Sequence, residues 1–396
     1  MLAHRTALFK ASGTAAARTA ATAAIADGRQ IIDLTAGEIW SELPPTVREG
    51  AIAAINRNLN RYTDTLGLME LRHAIACKLS AETAQPWSAE EIAVTSGAKQ
   101  ALFNAAMALV NPGDEVLVPA PYWTTFPAQI IIAGGTPVFI QTRHNGYVPR
   151  LTDLTAAITS KTKAIVVNTP NNPTGAIYPR DTLADISQLA IDRELWIIFD
   201  ECYGAFTHAP HTHHPIVSVA PQARARTLIV NSFSKALALT GWRIGYLAGP
   251  KAAISAVKAL QSHTTSNPNV IAQHAVLHHL QSGDTAFQLQ LQRDVANARA
   301  LGLSILSALT LVPQPAAQGG FYFYLDLTKL QRRTKLIGRG VNADDVVNGL
   351  LMDAGVATVS GTAFGDPAGV RLSYGIDLES LDKGLRRLTA TLNMWN

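Results

Sequence analysis

Between about residues 90 and 250, short apolar and β-branched runs alternate with amphipathic stretches. That alternation predicts a parallel sheet covered by helices on both faces. The predicted strands are 93–95, 115–119, 137–141, 163–168, 195–200 and 227–231. Several are almost wholly apolar, as strands buried on both faces must be. Helical patterns fill the gaps at 99–110, 122–133 and 179–193, the last with Pro179 placed for a first helical turn. Beyond about residue 285 the pattern changes. A long amphipathic helix (287–311) leads to an aromatic strand (321–327), a helix (343–354), strands at 356–359 and 370–374, and a C-terminal helix. The chain therefore reads as α/β: a large domain with a mostly parallel central sheet flanked by helices, plus a smaller α+β domain. The expected boundaries are an arm at 1–45 that joins the small domain, the large domain at 46–285 and the small domain at 286–396.

Composition narrows the classes. The 396 residues are 47% hydrophobic and only 16% charged, against a usual charged share of about 25%, which predicts a substantial core and excludes wholesale disorder. The formal net charge of +4 is spread along the chain without a long basic block, so nucleic-acid binding has no electrostatic support. No apolar run approaches the roughly 18 residues of a membrane span. Two distant cysteines, Cys77 and Cys202, make neither a disulfide framework nor a zinc site, which points to a reducing, cytoplasmic setting. The acid-free segment 1–26, with Arg5, Lys10 and Arg18, has the composition of a transit peptide; the reading adopted is an N-terminal arm.

Ligands of open α/β sheets bind beyond the carboxyl ends of the strands, so the residues that follow each strand are the candidates. Ser96-Gly97-Ala98-Lys99 opens a helix whose free N–H groups suit a phosphate. Asn171-Asn172 lies in a Pro- and Gly-rich turn, Asp200-Glu201-Cys202-Tyr203 follows the next strand, and Ser232, Lys235 and Arg243 follow the one after. No Walker A sequence and no Gly-x-Gly-x-x-Gly is present. Each residue alone has a structural explanation: a surface lysine, a salt-bridge arginine, a core tyrosine. Together they match the needs of pyridoxal 5'-phosphate (PLP): Lys235 for its aldehyde, Asp200 for its pyridinium nitrogen, and Tyr203 with Asn172 for its phenolate oxygen. Ser232, Arg243 and the Gly97 turn then make a phosphate cup.

The strings TSGAKQALFN (95–104), PYW (121–123), NNPTG (171–175), DECY (200–203), SFSKALALTGWRIGY (232–246) and VRLSYG (370–375) resemble class I aminotransferases of PLP fold type I. They look most like the bacterial aspartate aminotransferase subgroup that also contains prephenate aminotransferases. The resemblance implies that Lys235 carries the cofactor and moves the proton, that Trp123 stacks on its ring, and that Gly97, Ala98 and Lys99 bind its phosphate. It implies that Arg371 grips the substrate α-carboxylate, with Gly37, Trp123 and Asn172 at the same end. Tyr62, together with Ser266-Asn267-Pro268, would reach the neighbouring subunit's cofactor, making a homodimer with shared active sites.

The sequence departs from that pattern in two places. Gly37-Glu38 is followed by Ile39-Trp40-Ser41-Glu42-Leu43-Pro44-Pro45, where the subgroup has a Pro-Asp-Phe-like run, so Trp40 either lines the side-chain pocket or packs under the arm. Gln261-Ser262-His263 stands where other aspartate aminotransferases have an arginine for the distal carboxylate. Lys99 is then expected to recognise an acidic side chain, favouring glutamate or aspartate as donor and a 2-oxo acid as acceptor. The alternative is non-transamination chemistry on the same cofactor: lyase, decarboxylation, replacement or cyclisation. His208, His211, His213 and His214 crowd one loop, but no metal is expected there. Strand alternation is expected to point Cys202 away from Asp200, as a packing residue.

Overall fold

The computed structural model describes residues 2–8, 12–336 and 341–395. Its centre is a seven-stranded sheet built from β2 (Ile92–Thr95), β3 (Glu115–Ala120), β4 (Thr136–Gln141), β5 (Thr162–Asn168), β6 (Trp196–Asp200), β7 (Thr227–Ser232) and β8 (Gly245–Ala248), in the order β2-β8-β7-β6-β5-β3-β4. All neighbours run parallel except β8, which is antiparallel to both β2 and β7. Period-2 alternation divides the strand side chains between two cores. Leu117, Ile165, Val167, Ile197, Phe199 and Ile229 enter one cluster, while Val116, Val118, Ala164, Val166, Ile198, Leu228 and Val230 enter the other. Burying both faces explains why these strands read as continuous apolar runs.

A third cluster surrounds a separate three-stranded sheet formed by β9 (Tyr322–Asp326), β11 (Val359–Ser360) and β12 (Gly369–Ser373). The predicted 356–359 strand is split. Val356–Ala357 (β10) pairs in parallel with Ile32–Asp33 (β1), whereas β11 pairs antiparallel with β12. Two partners in different directions require the break at Thr358. The expected 122–133 helix begins only at Thr125, and the expected 287–311 helix ends at Leu306. The short β8 escapes the sequence pattern because it is only four residues long and closely bracketed by glycines.

The parallel strands present their carboxyl ends side by side. Asn168 and Asp200 are direct register partners on β5 and β6, and Asp200 pairs with Val230, two residues before Ser232 on β7. The helix α1 (Gly13–Ala26) borders that edge, as does Ala98–Leu109, which follows β2.

Candidate active site

A cavity of about 560 Å³ opens at these strand ends. Lys99, Trp123, Asn172, Asp200, Tyr203, Ser232, Lys235, Arg243 and Arg371 line it, together with Gly37 and Ala98. These residues come from the carboxyl ends of β1, β2, β3, β5, β6 and β7 or the segments after them, from the turn ahead of β8 and from the small sheet, so the fold gathers them from across the chain.

Asp200 is buried, and its carboxylate accepts the Cys202 N–H at 3.1 Å. Burial pushes its pKa up to about 6, a rise that the Cys202 bonds and the Lys235 charge only partly oppose. A carboxylate so placed favours a cationic partner brought in with a ligand. Burial also penalises the charged form in the folded protein. That penalty is absent below the ordinary carboxyl value of 3.8 and complete above about 6. In the cofactor-free protein, Asp200→Asn is therefore expected to raise the melting temperature at pH 8, with the gain vanishing as pH falls to 4. Melting curves at the two pH values check this, and PLP affinity is expected to fall in the same variant.

Lys235 points its Nζ at the carbonyl of Gly37 and lies 5.9 Å and 5.8 Å from the ring centroids of Tyr203 and Phe321. Desolvation lowers its pKa to about 8, so more of it is free amine near neutral pH than in an exposed lysine. Tyr203 is held between the Asn172 amide, 3.4 Å from its hydroxyl, and Tyr322, whose hydroxyl is 2.9 Å away. Burial, with Tyr322 beside it, keeps that phenol protonated and able to donate.

The anion-binding end combines a helix start with a cation. Gly97 has φ of +80° and precedes the helix Ala98–Leu109. A Cβ there would lie 2.6 Å from Arg243 Nη2, so glycine is what lets the guanidinium pack under the turn. Arg243 itself adopts a left-handed φ of +53° and donates to the carbonyls of Thr240 and Ser96 at 2.9 Å and 3.3 Å. Strain of this kind persists where the surrounding structure over-determines it, often at a ligand site. Lys99 stands 5.2 Å from the Trp123 ring centroid, and burial with the nearby Arg243 charge lowers its pKa.

Arg371 is 2% exposed. Its Nη1 donates to Asn172 Oδ1 at 3.0 Å and its Nη2 to the Thr35 carbonyl at 2.7 Å, while its Nε has no acceptor. The guanidinium carbon lies 4.5 Å from the centroid of Tyr322. No carboxylate among the described residues pairs with this buried cation.

Several expectations are redirected. Trp40 is absent from the cavity wall: its side chain is 74% exposed, and its N–H bonds the Gly375 carbonyl at 2.7 Å. The 38–39 backbone packs where a Cβ at Gly375 would sit, and Trp40 is left outside. Tyr62 is 90% exposed and lies in a separate surface groove with Ser266, Asn267 and Pro268. Cys202 does line the cavity. The strand ends at Asp200, and a residue two positions on returns to the same side, so the alternation expectation is corrected.

The loop histidines face different partners. His208 is buried against Tyr374 and the Gly320 carbonyl, with its pKa lowered to about 4 by burial and the Arg299 charge, whereas His213 meets Glu201. Among the described residues, no group of three or more His, Cys, Asp or Glu is placed to hold a metal.

Other site residues were missed from the sequence. Tyr322, Thr35, Asn168, Glu38 and Arg18 all line the cavity. Two carried a signal: Asn168, as the polar residue that ends a predicted apolar strand, and Tyr322, as an aromatic residue on a predicted strand. Asn168 earns its place through Oδ1, which accepts the Asn172 N–H at 2.9 Å.

The chemistry of this donor set fits PLP. It holds a buried carboxylate awaiting a cation, a desolvated amine, a paired phenol and amide, and an anion-binding turn backed by arginine. Residues 29–388 match the family model for class I and II aminotransferases, and the chain belongs to that family. It is therefore a PLP-dependent enzyme that transfers amino groups between amino acids and 2-oxo acids.

The chain is 39% identical to a probable aspartate/prephenate aminotransferase of Rhizobium leguminosarum bv. phaseoli, covering 96% of this chain and 95% of that protein. It is 38% identical to the aspartate/prephenate aminotransferase of Thermus thermophilus, over 99% of this chain and 98% of the relative. The solved structure of the Thermus aspartate aminotransferase with maleate superposes with a TM-score of 0.91 at 37% identity, covering 99% of this chain and 100% of that one. That of the Rhizobium meliloti aspartate aminotransferase gives 0.92 at 33%, covering 99% of each.

Proposed function

We propose that the enzyme takes the amino group of glutamate or aspartate and delivers it to a 2-oxo acid in two half-reactions at one site. Arg371 carries this reading. A buried guanidinium without an anionic partner is costly, and an α-carboxylate supplied by the substrate offsets that cost through a two-pronged contact. The maleate held by the Thermus structure is a dicarboxylate, which supports an acidic partner here too.

PLP, when bound, supplies an aldehyde that takes up the amino group and a ring that draws electron density from the substrate Cα. Asp200 would pair with the ring nitrogen, and the Tyr203 hydroxyl and Asn172 amide would donate to the ring oxygen. Trp123, which lines the cavity, would pack on the ring. The 97–99 backbone, Ser232 and Arg243 would hold the phosphate. Lys235 Nζ would take the proton from the substrate Cα and hold it for return. Gly37, through the carbonyl that meets Nζ, orients that amine.

Lys99 is the cation for the distal carboxylate. Lys99→Ala is expected to raise KM for glutamate and aspartate by about tenfold or more while changing KM for neutral amino acids much less. An equal effect on both, in steady-state assays, confines Lys99 to the phosphate.

We assign the domains at 1–45, 46–285 and 286–396, which is supported by the separate cores and by β1 pairing with β10. A homodimer is supported by the exposed Tyr62 groove and by Ile52, Ile55 and Met69, each more than half exposed. Tyr62 then reaches the partner's phosphate. Free Cys77 and Cys202 accord with a cytoplasmic setting. No described helix is long and apolar enough to cross a membrane.

The deciding experiment is a spectral titration of the holoenzyme against single amino acids with no acceptor present. Conversion of the cofactor to its amine form by glutamate or aspartate is the expected result. Conversion by neutral, aromatic or basic donors alone overturns the acidic pocket.

A further inference from the structure

Behind the strand ends that carry Asp200 and Ser232 runs a buried polar chain with no part in the reaction as described. His213 Nε2 lies 3.0 Å from Glu201 Oε2, with the two side chains 10% and 5% exposed. The other oxygen, Glu201 Oε1, accepts from Asn231 Nδ2 at 3.3 Å. Asn231 Oδ1 then accepts the backbone N–H of Ser232 at 2.7 Å. The His213 ring stacks on Phe199, with centroids 6.0 Å apart and planes at 17°. Its Nδ1 is buried and meets no partner among the described residues, so Nε2, which faces the carboxylate, is the donor.

The placement joins two strands of the site. Phe199 and Glu201 flank Asp200 at the end of β6, while Asn231 and Ser232 end β7 beside it. Glu201 also puts a second carboxylate next to Asp200, and its charge adds to the burial that raises the Asp200 pKa. Donors on Glu201 are therefore needed to hold that charge on the side away from the cavity. A buried carboxylate that loses a donor retains its desolvation cost and turns to whatever donors remain.

We infer that His213 is a positioning residue for the cofactor, acting through Glu201 and Asn231 to hold Asp200 and Ser232 in place. The inference rests on the assignment of those two residues to PLP.

The test is the PLP dissociation constant, measured by stripping holoenzyme variants and titrating the cofactor back by absorbance. His213→Phe keeps a ring against Phe199 and removes the donor; it is expected to weaken PLP binding by about tenfold or more. Adding Glu201→Gln removes the unsupported charge while the amide still accepts from Asn231. The double variant is expected to return to within about threefold of the wild type. Wild-type affinity in His213→Phe, or a double variant as weak as the single one, overturns the inference. Should His213→Phe not fold, Asn231→Ala breaks the chain at its other end and decides in the same way: weakening by about tenfold supports the inference, and unchanged binding overturns it. Asp200→Asn, run in parallel, separates the two levels. Undiminished PLP binding there removes the underlying assignment, whereas loss there with no loss in His213→Phe removes only the role of His213.

Discussion

Lys235→Ala is expected to lower kcat by about four orders of magnitude while leaving a folded protein that still holds PLP weakly. The one other lysine lining the cavity among the described residues, Lys99, is assigned to the distal carboxylate in the proposed arrangement. Asp200 is held for the ring nitrogen in the proposed arrangement, and Tyr203 is kept protonated by burial. The remaining carboxylate at the cavity, Glu38, is engaged by Thr240 Oγ1 at 2.8 Å and by Arg18 at 3.4 Å. Single-turnover assays with glutamate, in parallel with cofactor absorbance, separate loss of chemistry from loss of cofactor. Turnover within tenfold of wild type would remove Lys235 from the proton-transfer role.

The second large effect belongs to Arg371→Lys. A lysine keeps the charge but lacks the planar fork, and it cannot satisfy Asn172 Oδ1 and the Thr35 carbonyl while also meeting both oxygens of a carboxylate. The value of kcat/KM is expected to fall by about 10²- to 10³-fold for every amino acid tested, because the α-carboxylate is common to all of them. PLP affinity is expected to stay within about threefold of wild type, since of the proposed cofactor contacts Arg371 touches only Asn172, through its Oδ1 and not its donating amide. A loss confined to acidic substrates would instead move Arg371 to the distal carboxylate and displace Lys99 from that role.

Much of the sheet was legible because its strands are buried on both faces. β5 and β6 read as unbroken apolar runs that end at Asn168 and Asp200, and the ligand-facing residues had only to be sought there. β8 was not legible, because a four-residue strand that begins on one glycine and is followed by another carries too little pattern to be told from a loop. The division of 356–359 into two strands was hidden for another reason: it depends on partners at Ile32 and Arg371, far along the chain. Cys202 was misplaced because a period of two returns residues 200 and 202 to the same side, not to opposite ones.

Taken by itself, the order of residues determined the class of chemistry. An acid, an amide and a lysine following successive strands are local facts, and so are the arginine just ahead of β8 and the small-residue helix start at Gly97. Only the tertiary structure decided which groups meet. Arg371 bonds to Thr35 across 336 positions, Tyr322 comes to Tyr203 across 119, and Trp40 is turned out to the surface. Such pairings depend on how the small sheet docks over the strand ends. That docking is set by the summed packing of three cores, which no short stretch of sequence encodes.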